Sequence, residues 1–434
     1  MSPKRVLGPH DKRKKLTRCQ ACASRRIKCE GGTPSEANFE FVTPEIAGSS
    51  SSALGHVQNE TPESATSRFL DCFRDFVSSS HFTKGFQSVD FTSLIQSSIA
   101  VRHAAVAIGA QHASRHGPGG GPARQAAHSV ASDSYRQSIA LLQARLGEED
   151  AAQEDVLWCT FLLGIFELLD DVSGEGWAKH MLFGSSRILA MMGPEKLAVT
   201  PLGEVSLELF RILDINKALL YGEETILAQD DWLLQQPPVT GAACRDPLGT
   251  ILTLMVYAAT FNAQCIGSVM HLSAAERALA PVAQQLSYQG AGLREMVRNW
   301  RQELVPRLYG NEGTGDPFLK LALAYQHALV IMLAPEFAHY DALNSFMGSS
   351  QLSSETQDNI AVIISLVQEL LSTSNVPGIS LLFPLFIAGA NAGAVEHRSS
   401  IMALLEQANW KGFVASNCVV HDLTKLWIAQ ALSY

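Results

Sequence analysis

The stretch Val156-Leu-Trp-Cys-Thr-Phe-Leu-Leu-Gly-Ile-Phe-Glu-Leu-Leu169 decides the fold class of this 434-residue chain. Only Thr160 and Glu167 interrupt its apolar character over fourteen residues. A helix needs about 20 apolar residues to cross a bilayer. The stretch is therefore too short to span a membrane, and it predicts a helix buried in the core of a soluble protein.

On both sides of this stretch, apolar residues recur at intervals of three and four from residue 67 onward, which is typical of amphipathic helices. Runs of alternating β-branched residues, the pattern of strands, are lacking. We therefore predict an all-α domain. Its helices are predicted at 155–169, 177–192, 203–222, 246–272, 292–308, 317–333, 358–372, 379–394, 399–407 and 419–432.

Residues 35–66 differ from this domain in composition, since Ser, Pro, Glu, Thr and Gly dominate and no apolar period is sustained. Such a composition predicts a flexible linker. The linker lacks a heptad repeat, which argues against dimerisation through a coiled coil. The chain is thus predicted to have three parts: a basic head at 1–34, a disordered linker at 35–66 and an all-helical domain at 67–434.

The positive charge of the chain is concentrated in the head. The net charge of the whole chain is −9. Residues 1–30 contain ten Lys or Arg and two acidic residues, Asp11 and Glu30, so their net charge is +8. The remaining residues therefore carry a net charge of −17. A compact basic segment on an acidic body indicates contact with nucleic acid at one end only. Four of the basic residues form a run that also fits a nuclear-import signal and predicts a nuclear protein: Lys12, Arg13, Lys14 and Lys15.

Three cysteines lie within the head at a spacing typical of metal ligands, Cys19-x₂-Cys22-x₆-Cys29. This pattern resembles the first half of the fungal zinc binuclear cluster, whose six cysteines hold two zinc ions. The second half is missing, because Ser35 stands where the fourth cysteine would be and Asn38 where the fifth would follow. Three thiolates cannot complete one tetrahedral structural site. Zinc is therefore the implied cofactor, at a site that is incomplete in this chain.

Other ligand-type residues do not complete the cluster. His10 and His56 could each supply a fourth ligand, but nothing in their spacing favours either. A misplaced splice junction near residue 35 would also explain the abrupt change from cluster to linker. The five remaining cysteines are scattered and are predicted to be reduced residues of an intracellular protein: Cys72, Cys159, Cys244, Cys265 and Cys418.

The domain after the linker resembles the fungal-specific transcription factor domain, which usually follows the zinc cluster. The similar segments are 100–110, 162–169, 177–180, 184–189 and 382–390 followed by Arg398. The resemblance covers roughly residues 67–434. It implies a regulator of genes transcribed by RNA polymerase II. Such regulators often control metabolic or secondary-metabolite gene clusters.

The resemblance to the zinc cluster also implies which residues contact DNA. In that family, basic residues between the second and third cysteines read base edges, usually of a CGG triplet, while others hold phosphates. By position, Arg26 or Lys28 is expected to read guanine. Ala23 departs from the Arg often found after the second cysteine, which removes one phosphate contact. The DNA-binding candidates are Arg18, Arg25, Arg26 and Lys28.

No residue pattern in the sequence supports catalysis, so we predict that the chain is not an enzyme. Gly184-Ser-Ser is followed by Arg187 rather than completing Gly-x-Ser-x-Gly, and the 117–122 loop lacks the Lys-Ser/Thr of a phosphate-binding loop. His112 and His116 are four apart, but without a neighbouring Glu they are expected to be ordinary histidines. Three acidic residues are expected to face water or a neighbouring helix: Glu167, Asp170 and Asp171.

Two hypotheses about function follow. In the first, the chain is a sequence-specific regulator that binds DNA at CGG-containing promoter sites, alone or as a homo- or heterodimer with related regulators. In the second, it is a co-regulator that has lost autonomous DNA reading and acts by pairing with an intact relative. The integrity of the cysteine cluster distinguishes them, and neither involves a membrane.

Overall fold

The computed structural model describes residues 62–117, 120–147, 153–171, 184–197, 199–243, 245–269, 271–309, 315–334, 349–411 and 413–432. All of them belong to the unit Thr61–Tyr434. The described residues contain helices and no strand, which confirms the all-α prediction. The predicted head lies outside the described residues, and so does almost all of the predicted linker.

The helices are α1 (Pro62–Ser79), α2 (Phe91–Ser97), α3 (Ile99–His116), α4 (Gly121–Leu146), α5 (Glu154–Asp170), α6 (Gly184–Met192), α7 (Pro194–Leu197), α8 (Pro201–Tyr221), α9 (Asp230–Leu233), α10 (Pro247–Ser268), α11 (Ala274–Leu279), α12 (Pro281–Glu303), α13 (Val305–Tyr309), α14 (Pro317–Met332), α15 (Ser349–Thr373), α16 (Leu382–Ala390), α17 (Val395–Trp410) and α18 (Ser416–Leu432). Short 3₁₀ turns lie at Phe86–Ser88, Ile226–Ala228 and Gly378–Leu381.

Three of these helices begin at a local signal, a Thr or Asp followed by proline. Proline is suited to the first helical position, and the preceding side chain accepts hydrogen bonds from exposed backbone amides. Thr200 accepts from the amide of Gly203 at 2.9 Å, and Asp246 accepts from the amide of Gly249 at 3.0 Å. Asp316 accepts from the amide of Phe318 at 2.9 Å. Helices α8, α10 and α14 therefore begin where short-range chemistry places them.

Helix α5 lies in the interior of the domain. Every residue from Val156 to Leu169 is buried, which confirms the prediction that this apolar stretch forms a core helix. Helices α3, α4, α6 and α8 contact it, and α1 packs on α3. The approach of α1 to α3 is close enough that a Cβ on Gly109 would lie 1.9 Å from the carbonyl oxygen of Phe69, so only glycine fits there.

Helix α8 connects this group to the second half of the domain. It contacts α5, α10 and α16, and α14 contacts α10, α15 and α16. Tyr325 on α14 is fully buried at this junction. Its hydroxyl donates to the carbonyl of Ser380 at 2.8 Å and accepts from Asn216 of α8 at 3.0 Å. These buried polar contacts link three separate elements.

The structure corrects several predicted helix bounds. The helix predicted at 292–308 begins eleven residues earlier at Pro281, whose fixed φ suits a first helical turn, and it ends at Glu303. The helix predicted at 399–407 extends over Val395–Trp410. Helix α10 is long and apolar enough to cross a membrane by length and composition. However, 67% of its apolar window is buried inside the domain, as expected of a core helix.

Candidate functional site

The head residues singled out in the sequence lie outside the described residues, so their arrangement stays a prediction. These are the candidate zinc ligands Cys19, Cys22 and Cys29, the DNA-binding candidates Arg18, Arg25, Arg26 and Lys28, and the import run Lys12, Arg13, Lys14 and Lys15. The described domain nevertheless holds two features with the chemistry of a site. One is a cleft beside the start of α5, and the other is a polar interior around α8.

The cleft, which we call the Asp155 cleft, has a volume of about 890 Å³. Residues of α2, α3, α4, α5, α6, α7 and α8 line it. Its floor is apolar, since Leu142, Val156 and Cys159 are buried there. Two apolar side chains at its rim are open to solvent, since Ile99 is 58% exposed and Leu141 is 37% exposed. The cleft thus presents a mixed surface, in which these apolar side chains lie beside Arg145, Glu154 and Lys196.

Polar groups in the Asp155 cleft come mainly from the first turn of α5 and its surroundings. Arg145 donates to the side-chain oxygen of Gln153 at 2.8 Å, and Thr200 donates to the carboxylate of Glu154. Asp155 differs, because its Oδ1 is buried and has no hydrogen-bond partner among the described residues. An unpartnered buried acceptor is costly. This oxygen has almost no accessible surface, so it is enclosed by the protein beside the cleft and is not open to it.

The thiol of Cys159 forms part of the same floor. It lies 3.3 Å from the hydroxyl of Ser138, and burial raises its pKa to about 12. A thiol with so high a pKa remains protonated at neutral pH, and the thiolate is the form that attacks substrates and binds metals. Cys159 is therefore an apolar wall of the cleft rather than a nucleophile or a metal ligand.

The second feature is a group of buried charged side chains on α8. Arg211 is 8% exposed and donates to the carbonyl of Gly249 at 2.9 Å and to the hydroxyl of Thr253 at 3.1 Å. Burial lowers its pKa to about 10, so the guanidinium stays charged at neutral pH. Burial also raises the pKa of Asp214 to about 6, although a hydrogen bond from Thr225 at 2.5 Å opposes that rise. Neither residue is predicted from the sequence to belong to a site.

Arg211 also lines a smaller cavity of about 200 Å³, together with Glu208, Trp232 and Gln236. Burial raises the pKa of the Glu208 carboxyl. The guanidinium is already bonded to the helix backbone across the interface between α8 and α10. We interpret this group as a structural connection between the two halves of the domain.

Two acidic residues near the end of α5 accept hydrogen bonds from neighbouring helices. Glu167 is buried and accepts a hydrogen bond from the hydroxyl of Tyr135 on α4. Asp170 accepts from Gln111 of α3 at 2.8 Å. Both carboxylates therefore contact a neighbouring helix, which is one of the two environments expected from the sequence.

The histidines of α3 also have a structural environment. The rings of His112 and His116 lie 4.9 Å apart between centroids, and the ring of His112 packs on Phe76 at 5.9 Å. Burial lowers the pKa of both histidines. Within the described part of the chain, no group of three or more His, Cys, Asp or Glu side chains is placed to hold a metal ion.

The described architecture is that of a large helical domain with a buried central helix and an open cleft beside the start of that helix. Residues 68–423 match the family model described as the fungal specific transcription factor domain, and the chain belongs to this family. The resemblance inferred from segments of the helical domain is thereby confirmed. Neither a curated protein nor a solved structure matches the chain. The family is one of transcription regulators.

Proposed function

We propose that the chain is a nuclear regulator of RNA polymerase II genes that contacts DNA through its basic head. The observation that carries the proposal is the order of its parts. A domain of the fungal transcription factor family at 68–423 follows a head in which Cys19, Cys22 and Cys29 are spaced as in a zinc cluster. The first 30 residues carry a net charge of +8 and the rest of the chain carries −17, which supports contact with DNA at one end of the chain.

In this proposal the head supplies affinity for DNA but only limited recognition of the base sequence. The residues proposed to contact phosphates and guanine edges are Arg18, Arg25, Arg26 and Lys28. A tetrahedral thiolate site contributes most of the folding free energy of such small modules. With Ser35 in place of a fourth cysteine, the reading segment has little to hold Arg26 and Lys28 in register with the bases. The gene targets proposed are a metabolic or secondary-metabolite cluster.

A second candidate function is that of a co-regulator that has lost autonomous DNA reading. The specific observation that favours it is Ser35 and Asn38 at the positions of the fourth and fifth cysteines. Such a chain would reach promoters by pairing with an intact relative, as a heterodimer. Its helical domain would then provide the surface for pairing.

The proposal is tested by titrating duplex DNA with the full chain, comparing a CGG-containing duplex with a scrambled one. We expect both to bind, with affinities that differ by less than about tenfold, far below the 10³- to 10⁷-fold typical of specific readers. A double variant, Arg26→Ala with Lys28→Ala, should weaken binding to both duplexes by at least about tenfold, because two phosphate contacts are lost. The matched control is Arg136→Ala with Lys425→Ala, which removes the same charge from exposed positions of the helical domain.

Three results would change the proposal. A CGG preference well above tenfold that Cys22→Ala abolishes would establish intact sequence reading. Failure to bind either duplex would favour the co-regulator. An equal loss of affinity in the control variant would place the DNA contact on the helical domain instead of the head.

The zinc content of the purified chain is expected to be at most one ion, weakly held, since Cys19, Cys22 and Cys29 supply three of the four ligands of one site. Elemental analysis after dialysis measures this directly. Cys22→Ser should remove the bound zinc, whereas Cys418→Ser in α18 should leave it in place. Two zinc ions per chain would contradict the prediction and would require ligands from elsewhere.

A further inference from the structure

We propose that the smaller cavity beside Arg211 binds a free α-amino acid with an apolar side chain, its carboxylate on Arg211 and its ammonium group on Glu208. The inference concerns the helical domain and is independent of how the head contacts DNA. We call this space the Arg211 cavity. Three of its properties carry the inference: a buried guanidinium with an available donor, a carboxylate of opposite charge, and apolar walls.

The guanidinium of Arg211 is held at one nitrogen and available at another. Its Nη2 donates to the carbonyl of Gly249 at 2.9 Å and to the hydroxyl of Thr253 at 3.1 Å. Its Nη1 makes no hydrogen bond to the described residues and, unlike the enclosed Nε, keeps accessible surface. Since Arg211 is only 8% exposed and lines the cavity, this surface faces the cavity. A guanidinium that is already oriented loses little entropy when it binds a carboxylate.

The second charged group of the cavity is Glu208, one turn before Arg211 on α8. Its side chain is half-buried, and burial raises the pKa of its carboxyl, although Thr83, Arg211 and Lys84 act in the opposite direction. Among the described residues, neither a hydrogen bond nor an ion pair joins Glu208 to Arg211. Opposite charges that line one cavity without pairing are complementary to a ligand that carries both signs. A free α-amino acid is such a ligand, with a carboxylate that accepts and an ammonium group that donates.

The walls and the volume of the cavity select the side chain of the amino acid. Leu227 and Trp232 line the cavity and are almost fully buried, and Leu207 beside them is half-buried. Contact with these side chains favours an apolar group over a polar one. The volume of about 200 Å³ lies below the roughly 300–1,000 Å³ of sites for drug-sized compounds. The cavity therefore suits an amino acid of the size of valine or leucine.

A ligand with a single charge fits the Arg211 cavity less well. A simple carboxylate would bind Arg211 but would also approach Glu208 and Glu204, which line the same cavity. A simple amine would bind Glu208 but would approach the fixed guanidinium. Repulsion between like charges at such short range disfavours both compounds, whereas an amino acid places each of its charges beside an opposite one.

The test compares three compounds with the same branched body on the full chain. These are leucine, 4-methylpentanoate, which lacks the ammonium group, and 3-methylbutylamine, which lacks the carboxylate. Isothermal titration should show that leucine binds at least about tenfold more tightly than either analogue, because each charge-assisted contact is lost in one of them. Leucine should also raise Tm by mass action. Glycine, which has both charges but no apolar side chain, should bind at least about tenfold more weakly than leucine.

Two variants test the two charged ends of the site. Glu208→Gln keeps the size of the side chain and should bring leucine to the affinity of 4-methylpentanoate. The matched control is Glu355→Gln, at an exposed position of α15, which should leave leucine binding unchanged. Arg211→Lys keeps the charge but not the planar fork of donors, so it should weaken leucine and 4-methylpentanoate more than 3-methylbutylamine.

Circular dichroism and Tm without ligand establish that each variant is folded. If Arg211→Lys does not fold, the three compounds and Glu208→Gln decide the proposal. It is overturned if no compound binds to the folded wild-type chain, if either single-charge analogue binds as tightly as leucine, or if Glu208→Gln leaves the affinity for leucine unchanged.

Discussion

Raising the salt concentration from about 50 to about 200 mM is expected to weaken DNA binding by the full chain roughly 250- to 1,000-fold. Ten basic residues lie within the first 28 positions of the chain. If about four to six of them neutralise phosphates, the log–log slope of affinity against salt is about −4 to −5, at roughly 0.9 per contact. A fourfold rise in salt then produces the stated loss.

Fluorescence anisotropy at five or more salt concentrations measures this slope. The slope should be nearly the same on CGG-containing and scrambled duplexes, because phosphates are present in both. It should decrease in magnitude by about two for Arg26→Ala with Lys28→Ala. It should stay unchanged for Arg136→Ala with Lys425→Ala, whose sites lie on α4 and α18. A slope near zero in the full chain would exclude an electrostatic head.

Replacing Trp158 by alanine is expected to lower the free energy of unfolding of the helical domain by about 3–5 kcal/mol. Trp158 is fully buried on α5. Its ring meets Phe91 at 5.2 Å between centroids, edge to face, and Phe161 at 6.0 Å. Its Nε1 has no hydrogen-bond partner among the described residues, so the loss comes from packing alone. Removing the ring leaves a cavity that helices on several sides cannot close.

Urea unfolding followed by circular dichroism measures the effect, and the chain contains its own control. Trp410, at the end of α17, is 77% exposed, so Trp410→Ala should change stability by less than about 0.5 kcal/mol. Trp158→Phe keeps an aromatic ring and should lose less than Trp158→Ala. Equal losses for Trp158→Ala and Trp410→Ala would contradict the assignment of α5 to the core.

The positions of many helices were predictable because their signals are local. The run from Val156 to Leu169 is apolar on every side, which only a fully surrounded helix tolerates. Helices α8, α10 and α14 begin where a capping side chain and a proline stand together. The start of α12 at Pro281 was missed, because its first turns hold exposed residues and lack a capping side chain.

The chemistry of the described domain was less predictable, because it joins residues that are distant in the chain. Tyr135 and Glu167 are 32 positions apart, and nothing in either segment indicates their hydrogen bond. Arg211 lies on an amphipathic helix in which a charged residue would ordinarily face water. Only the contact of α8 with α10 makes its burial possible, since the carbonyl of Gly249 accepts from it.

The sequence by itself determined the all-α class and the family resemblance of the helical domain, because helical periodicity and caps are properties of short segments; the zinc-binding and DNA-reading roles of the head stay predictions. Tertiary structure alone decided which helices surround α5 and where the Asp155 cleft opens. It also decided that the Oδ1 of Asp155 lacks a donor. The physical reason is that burial and hydrogen-bond satisfaction depend on the partners that distant segments bring, and a short segment does not specify those partners.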